Sequence, residues 1–170
     1  MKLFLFQLRS IRSLSQNLSL KAISEEDSQI IGVALYDLIS RNDHSGPKFN
    51  KKRIILISNL FDRVPENIWD YIPREFDIAA DLCVLSVSKK YSHQGIAKTL
   101  IVESKKHLQR QRVSVMVVEC TSNFSARLCE SENMHFVCSL PFEDYKGEDG
   151  NAVFEQDPPH TNIKVFYQIL

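Results

Sequence analysis

The chain has no run approaching the ~20 consecutive apolar residues that a membrane-spanning helix needs, so no membrane partner is expected. It has no surplus of either charge: 21 Lys and Arg stand against 21 Asp and Glu, for a formal net charge of zero. Proteins that hold polyanions by neutralising phosphates carry a basic surplus, so no nucleic-acid partner is expected. Its four cysteines, Cys83, Cys120, Cys129 and Cys138, contain no C-x-x-C pair, and no histidine pair supplies the rest of a zinc site. No metal is expected. The four read as free thiols in a reducing compartment, which points to the cytoplasm. Repeats and low-complexity tracts are absent. Asn17-Leu18-Ser19 and Asn123-Phe124-Ser125 match the glycosylation sequon, a match that carries meaning only behind a secretory signal.

Residues 1–24 lack any acid and carry Lys2, Arg9, Arg12 and Lys21 among several serines. Two readings fit, a mitochondrial transit peptide or the remnant of a basic amphipathic helix. The apolar run at residues 3–8 lacks the arginine spacing of transit peptides and favours the remnant. Residues 1–17 are therefore set apart as an N-terminal remnant or extension, and residues 18–170 as one domain. With 44% hydrophobic and 25% charged residues, that domain has the composition of an ordinary globular protein.

Alternation over residues 18–23 predicts a strand, residues 25–28 a turn, and the apolar run 30–38 a second strand that completes a hairpin. Residues 41–52 read as a loop around Gly46-Pro47. Ile54, Ile57, Phe61 and Val64 recur at helical spacing. Ile68, Trp69, Tyr71 and Ile72 suggest a short helix ending near Pro73, either as core packing or as the wall of an apolar substrate pocket. Strands follow at 78–87 and 113–120, with a helix over 95–109 between them. A helix at 123–131, capped by Thr121 or Ser122, leads to strands at 136–140 and 163–169. Strand–helix–strand crossovers indicate an α/β (α+β) fold with a mixed sheet, and a ligand site at the C-terminal ends of its parallel strands.

The segment Leu85-Ser86-Val87-Ser88-Lys89-Lys90-Tyr91-Ser92-His93-Gln94-Gly95-Ile96-Ala97-Lys98 carries the chemistry. A strand turns into a helix near Gly95. The first N–H groups of that helix lack internal partners and, with the helix dipole, form an anion site. Gly95 and Ala97 let a ligand approach the backbone, and Lys98 adds a positive charge. By itself such a turn is either a phosphate site or only a turn.

Leu85 and Val87, then Gly95-Ile96-Ala97, then Leu100, resemble the acetyl-CoA motif of the GNAT superfamily of N-acetyltransferases. Ser92 departs from the motif, standing where the family has Arg or Gln. Glu119-Cys120-Thr121-Ser122-Asn123-Phe124-Ser125-Ala126-Arg127-Leu128-Cys129-Glu130, Pro141-Phe142-Glu143-Asp144-Tyr145, Gly150-Asn151-Ala152-Val153-Phe154 and Pro158-Pro159-His160 resemble the insect arylalkylamine N-acetyltransferases. The resemblance spans residues 19–170. It implies a GNAT fold in which amides of residues 92–98 hold the pyrophosphate of acetyl-CoA and the strand at Leu85, Ser86 and Val87 pairs with the pantetheine arm. It also implies transfer of the acetyl group to a small aromatic or biogenic amine such as dopamine. Asn133-Met134 stands where many family members end this helix with glycine–phenylalanine, and asparagine suits the same left-handed cap.

Transfer to an amine needs a base for the ammonium and a donor for the carbonyl oxygen, and the departing thiolate benefits from an acid. By the resemblance, Cys129 occupies the place of the family's acidic tyrosine, and Ser125 lies one turn earlier on the same face. Cys129 reads equally as a buried packing residue. The glutamate base of the insect enzymes lies in an Asn-Glu-Pro-Leu segment that this chain lacks, which suggests an N-terminally truncated member. Asp81, aligned with a histidine of vertebrate enzymes, is the substitute candidate; its other reading is a strand-edge or turn aspartate. His93, His107, His135 and His160 read as surface or satisfied histidines. Three functions stay open: an active transferase, a truncated paralogue that binds acyl-CoA without turnover, and a non-enzymatic GNAT-like module. A monomer or weak dimer is expected, with an exposed sheet edge as its contact.

Overall fold

The structure is a computed structural model that describes residues 15–42, 67–146, 150–151, 153 and 158–170. The helix expected at Ile54, Ile57, Phe61 and Val64, and most of the loop before it, lie outside the described residues. Six strands are described, Leu20–Ile23 (β1), Ile30–Ser40 (β2), Ile78–Val87 (β3), Val115–Cys120 (β4), His135–Pro141 (β5) and Asn162–Ile169 (β6). They form one mixed sheet in the order β1-β2-β3-β4-β6-β5. Two α-helices are described, Ile96–Arg110 (α1) and Asn123–Ser131 (α2). Among the described residues no helix is long and apolar enough to cross a membrane.

The chain divides into two compact units. The first holds the described residues of Met1–Ser40, Phe76–Val117 and Ile169–Leu170. Its β2 alternates because Gly32, Ala34 and Tyr36 face inward while their neighbours do not. Tyr36 is fully buried, and its hydroxyl is satisfied by the Met116 sulfur at 3.5 Å. β3 pairs antiparallel with β2 and parallel with β4 at Ala80↔Met116 and Asp81↔Val117. Leu82 and Val84 of β3 oppose the consecutive residues Tyr36 and Leu35 of β2, which makes Cys83 the extra residue of a β-bulge.

Helix α1 buries Leu100, Ile101, Ser104 and Leu108, a stripe at helical spacing, and packs against β1, β2 and β3. A β-carbon on Gly32 would sit 3.1 Å from a Leu100 methyl, 3.2 Å from an Ile96 methyl and 3.3 Å from the Ser86 carbonyl. Glycine there lets the start of α1 approach the sheet. The helix ends in a Schellman turn: Arg112 takes φ 60°, and the Val113 amide donates to the Leu108 carbonyl at 2.9 Å.

The second unit holds the described residues of Arg41–Glu75 and Val118–Gln168. β5 and β6 pair antiparallel from His135↔Tyr167 to Pro141↔Asn162. Val137, Phe142, Tyr145, Ile163 and Val165 form its core, with Ile68 packed against them. The Ser122 hydroxyl caps α2 by accepting from the Ser125 amide at 3.1 Å. At the other end Asn133 takes φ 55°, and the Met134 amide reaches the Cys129 carbonyl at 3.1 Å, the left-handed cap expected of an asparagine.

The short helix expected near Trp69 is a single 3-10 turn, Ile68–Asp70. Its aromatics are not core residues: Trp69 is half-buried and Tyr71 is 39% exposed, while Ile72 is buried. They line a hollow of about 340 Å³ with Arg41, Asp70, Pro73 and Arg74. Arg41 holds this wall together, donating to the carbonyls of Trp69, Ile72 and Pro73 at 2.7, 3.0 and 3.2 Å, with its guanidinium 4.9 Å above the Trp69 ring.

Candidate active site

The first element of the site is the turn from β3 into α1. Leu85, Ser86 and Val87 pair with Ala34, Val33 and Gly32, which holds the end of β3 straight. The Ser88 amide donates to the Ile31 carbonyl at 2.8 Å. A 3-10 turn over Lys89–Tyr91 follows, closed by the Ser92 amide on the Lys89 carbonyl at 3.3 Å. His93 and Gly95 then take positive φ, 62° and 76°. These two left-handed residues bend the chain so that α1 starts abruptly, and its first internal bond is the Thr99 amide to the Gly95 carbonyl at 2.9 Å. By helix geometry the amides of Ile96, Ala97 and Lys98 precede that bond and find no acceptor within the helix.

Ser92, His93, Gln94 and Gly95 are exposed, and so are Lys89, Lys90 and Lys98. Space is open around the position a Gly95 β-carbon would take. Oriented amides, a helix start and three ammonium groups suit a pyrophosphate. Lys89 and Lys90 were not singled out from the sequence, although their place in the loop was a usable signal. Lys90 sits 5.0 Å over the Tyr91 ring, and its charge helps to lower the Asp27 carboxyl.

Asp81 lies within β3, which pairs on both sides, and is 6% exposed. The strand-edge and turn alternatives are therefore wrong. The Cys83 thiol contacts its Oδ2 at 3.6 Å, and Asp37 stands directly across the ladder.

The remaining candidates gather in the second unit where β4 turns into α2. Ser125 is half-buried and Cys129 is 2% exposed. They share a helix face but different partners. The Ser125 hydroxyl donates to the Ser122 carbonyl at 2.9 Å and lies 2.9 Å from the Ser122 hydroxyl. The Cys129 sulfur lies 3.6 Å from that of Cys120. The Cys129 thiol, as hydrogen-bond partner, holds the Cys120 thiol below the ordinary thiol range; the Ser125 hydroxyl and the Lys164 ammonium act the same way, against burial and the Glu130 charge. Lys164 itself pairs with Glu130 at 3.0 Å.

His160 adjoins this group. Its Nδ1 accepts the Asn123 amide at 3.2 Å, and its ring meets Phe124 edge-on at 5.1 Å. It serves as an acceptor for the start of α2, a role that sequence reasoning missed. The His107 Nε2–H donates to the Asn17 carbonyl at 2.8 Å, His135 stacks on Tyr167, and His93 is exposed. Among the described residues no group of three or more metal-ligating side chains converges.

No protein-family model matches the chain. Solved structures do. Arylalkylamine N-acetyltransferase 2 of Aedes aegypti superposes with a TM-score of 0.80 at 27% identity, covering 97% of this chain and 79% of its own.

The chain has the fold of the GNAT N-acetyltransferases.

Two further GNAT structures agree on the fold. A mosquito arylalkylamine N-acetyltransferase-like protein 5b reaches a TM-score of 0.82 at 20% identity, over 98% of this chain and 81% of that one. The Drosophila melanogaster polyamine N-acetyltransferase, which forms N-acetylagmatine, reaches 0.76 at 15% identity, over 95% and 78%. The β3–α1 turn described above is thus set within an N-acetyltransferase fold.

Proposed function

We propose that the protein is an acetyl-CoA-dependent N-acetyltransferase of small aromatic or biogenic amines, dopamine and polyamines among them, acting in the cytoplasm. The observation that carries this reading is the exposed turn from Val87 through Gly95 into α1, a pyrophosphate cradle on a fold shared with N-acetyltransferases. Bound acetyl-CoA supplies an acetyl group that the amine nitrogen takes directly, forming the amide as the carbon–sulfur bond breaks.

The chain's own residues supply binding and proton handling. Amides of residues 92–98 and the lysines around them hold the pyrophosphate, and Leu85, Ser86 and Val87 offer a strand edge to the pantetheine arm. Asp81 takes the ammonium proton through a water molecule. The Cys129 thiol gives a proton to the departing thiolate, and Ser125 orients the amine. Each positioned acid or base of this kind contributes about 10²–10⁴-fold to rate.

The test is calorimetric titration with acetyl-CoA, followed in the same sample by thiol release with a panel of arylalkylamines and polyamines. Binding with release supports the transferase. Binding without release replaces it with an acyl-CoA binder that does not turn over. Absence of binding overturns both and leaves a GNAT-shaped interaction module.

A further inference from the structure

Cys120 ends β4 and Cys129 lies two turns into α2, so the strand–turn–helix folds both sulfurs to one spot. They are 1% and 2% exposed and 3.6 Å apart. A disulfide needs about 2.05 Å between sulfurs, so these two, already in contact, must draw closer for the bond to form. Ordinary buried thiols are inert because an apolar setting keeps them protonated. Here each thiol has the other as a hydrogen-bond partner, the Ser125 hydroxyl joins them, and the Cys120 thiol is lowered as a result. Ser125, which hydrogen-bonds the Cys120 thiol, is only half-buried and gives the pair a polar neighbour.

We infer that Cys120 and Cys129 are a redox modification site, forming a reversible intramolecular disulfide when a hydroperoxide reaches them. The Cys120 sulfur attacks the peroxide oxygen, the O–O bond breaks, and the leaving alkoxide or hydroxide takes a proton, giving a sulfenic acid. The Cys129 sulfur then attacks that sulfur, the S–O bond breaks, and the hydroxyl leaves as water with the Cys129 proton. Two thiols and one hydroperoxide thus yield one disulfide, one alcohol or water, and one further water. The two thiols are oxidised and the peroxide is reduced.

The consequence for turnover rests on the proposed role of Cys129 as proton donor. Oxidation removes its S–H while leaving the β3–α1 turn chemically untouched. Oxidised protein should bind acetyl-CoA with unchanged affinity and lose turnover at least tenfold, and dithiothreitol should restore it.

The experiment treats the full chain with hydrogen peroxide and digests it, unreduced, with trypsin and a glutamate-specific protease. These cuts put Cys120 in residues 120–127 and Cys129 in residues 128–130, away from Cys138. The expected result is those two fragments joined, with the mass lowered by two hydrogens, and the same joining in Cys138→Ala. Cys120 and Cys129 still open to alkylation, or joined to Cys83 or Cys138 instead, would overturn the site. Joining without loss of turnover would overturn its regulatory consequence. If the reduced protein shows no turnover at all, the transferase reading fails, while the fragment pattern still decides the disulfide.

Discussion

Asp81 of β3 stands directly opposite Asp37 of β2 in the antiparallel ladder. Residues so opposed lie on one face of the sheet, and like charges placed there disfavour the pairing. Asp81 is moreover buried. As the proposed base, Asp81 should be worth more to turnover than to the fold.

Asp81→Asn is therefore expected to lower kcat/KM by about 10²–10⁴-fold without lowering Tm and without changing acetyl-CoA affinity. Steady-state kinetics beside thermal melts decide the matter, since a purely structural aspartate would lower Tm.

Gly95 starts α1 at φ 76°. A side chain in the left-handed region costs roughly 1–2 kcal/mol, and relief would swing the first amides of α1 out of line. Gly95→Ala should lower Tm by about 2–4 °C per kcal/mol lost and raise the calorimetric Kd for acetyl-CoA. Gly32→Val should show the same pair of effects for a different reason, collision with Ile96 and Leu100 at the helix start.

Ser122 has two tasks, capping α2 through the Ser125 amide and hydrogen-bonding the Ser125 hydroxyl. Ser122→Ala removes both. The lost cap should cost about 1 kcal/mol. Ser122→Asp preserves a capping oxygen, so it should recover the melting temperature.

The turn between β1 and β2 gives a pH dependence. A hydrogen bond with Ser24, then the Gln29 amide at 3.2 Å, holds the exposed Asp27 carboxyl below its ordinary 3.8. A depressed folded value means the contribution to stability is complete above the unfolded value and is lost as pH falls through the folded one. The loss thus lies below pH 3.8. Carboxyl titration by NMR should find the Asp27 midpoint under that value, and Ser24→Ala should move it back toward it.

What the amino-acid order determined by itself was local. Alternation marked β1, an unbroken apolar run marked β2, helical spacing of Leu100, Ile101, Ser104 and Leu108 marked α1, and the asparagine at 133 marked the end of α2. The β3–α1 turn was legible for the same reason, because a strand end, a left-handed glycine and a helix start are neighbours in the chain. The tertiary structure alone decided the pairings between distant positions: Asp37 with Asp81, Cys120 with Cys129, His160 with the Asn123 amide, Arg41 with the carbonyls around Trp69. Register across a ladder shifts with one bulged residue, here Cys83, and no local pattern announced it. Propensity and periodicity act over a few residues, whereas these contacts depend on how separate strands and helices pack, which is why the elements could be read in advance and the partners of their polar side chains could not.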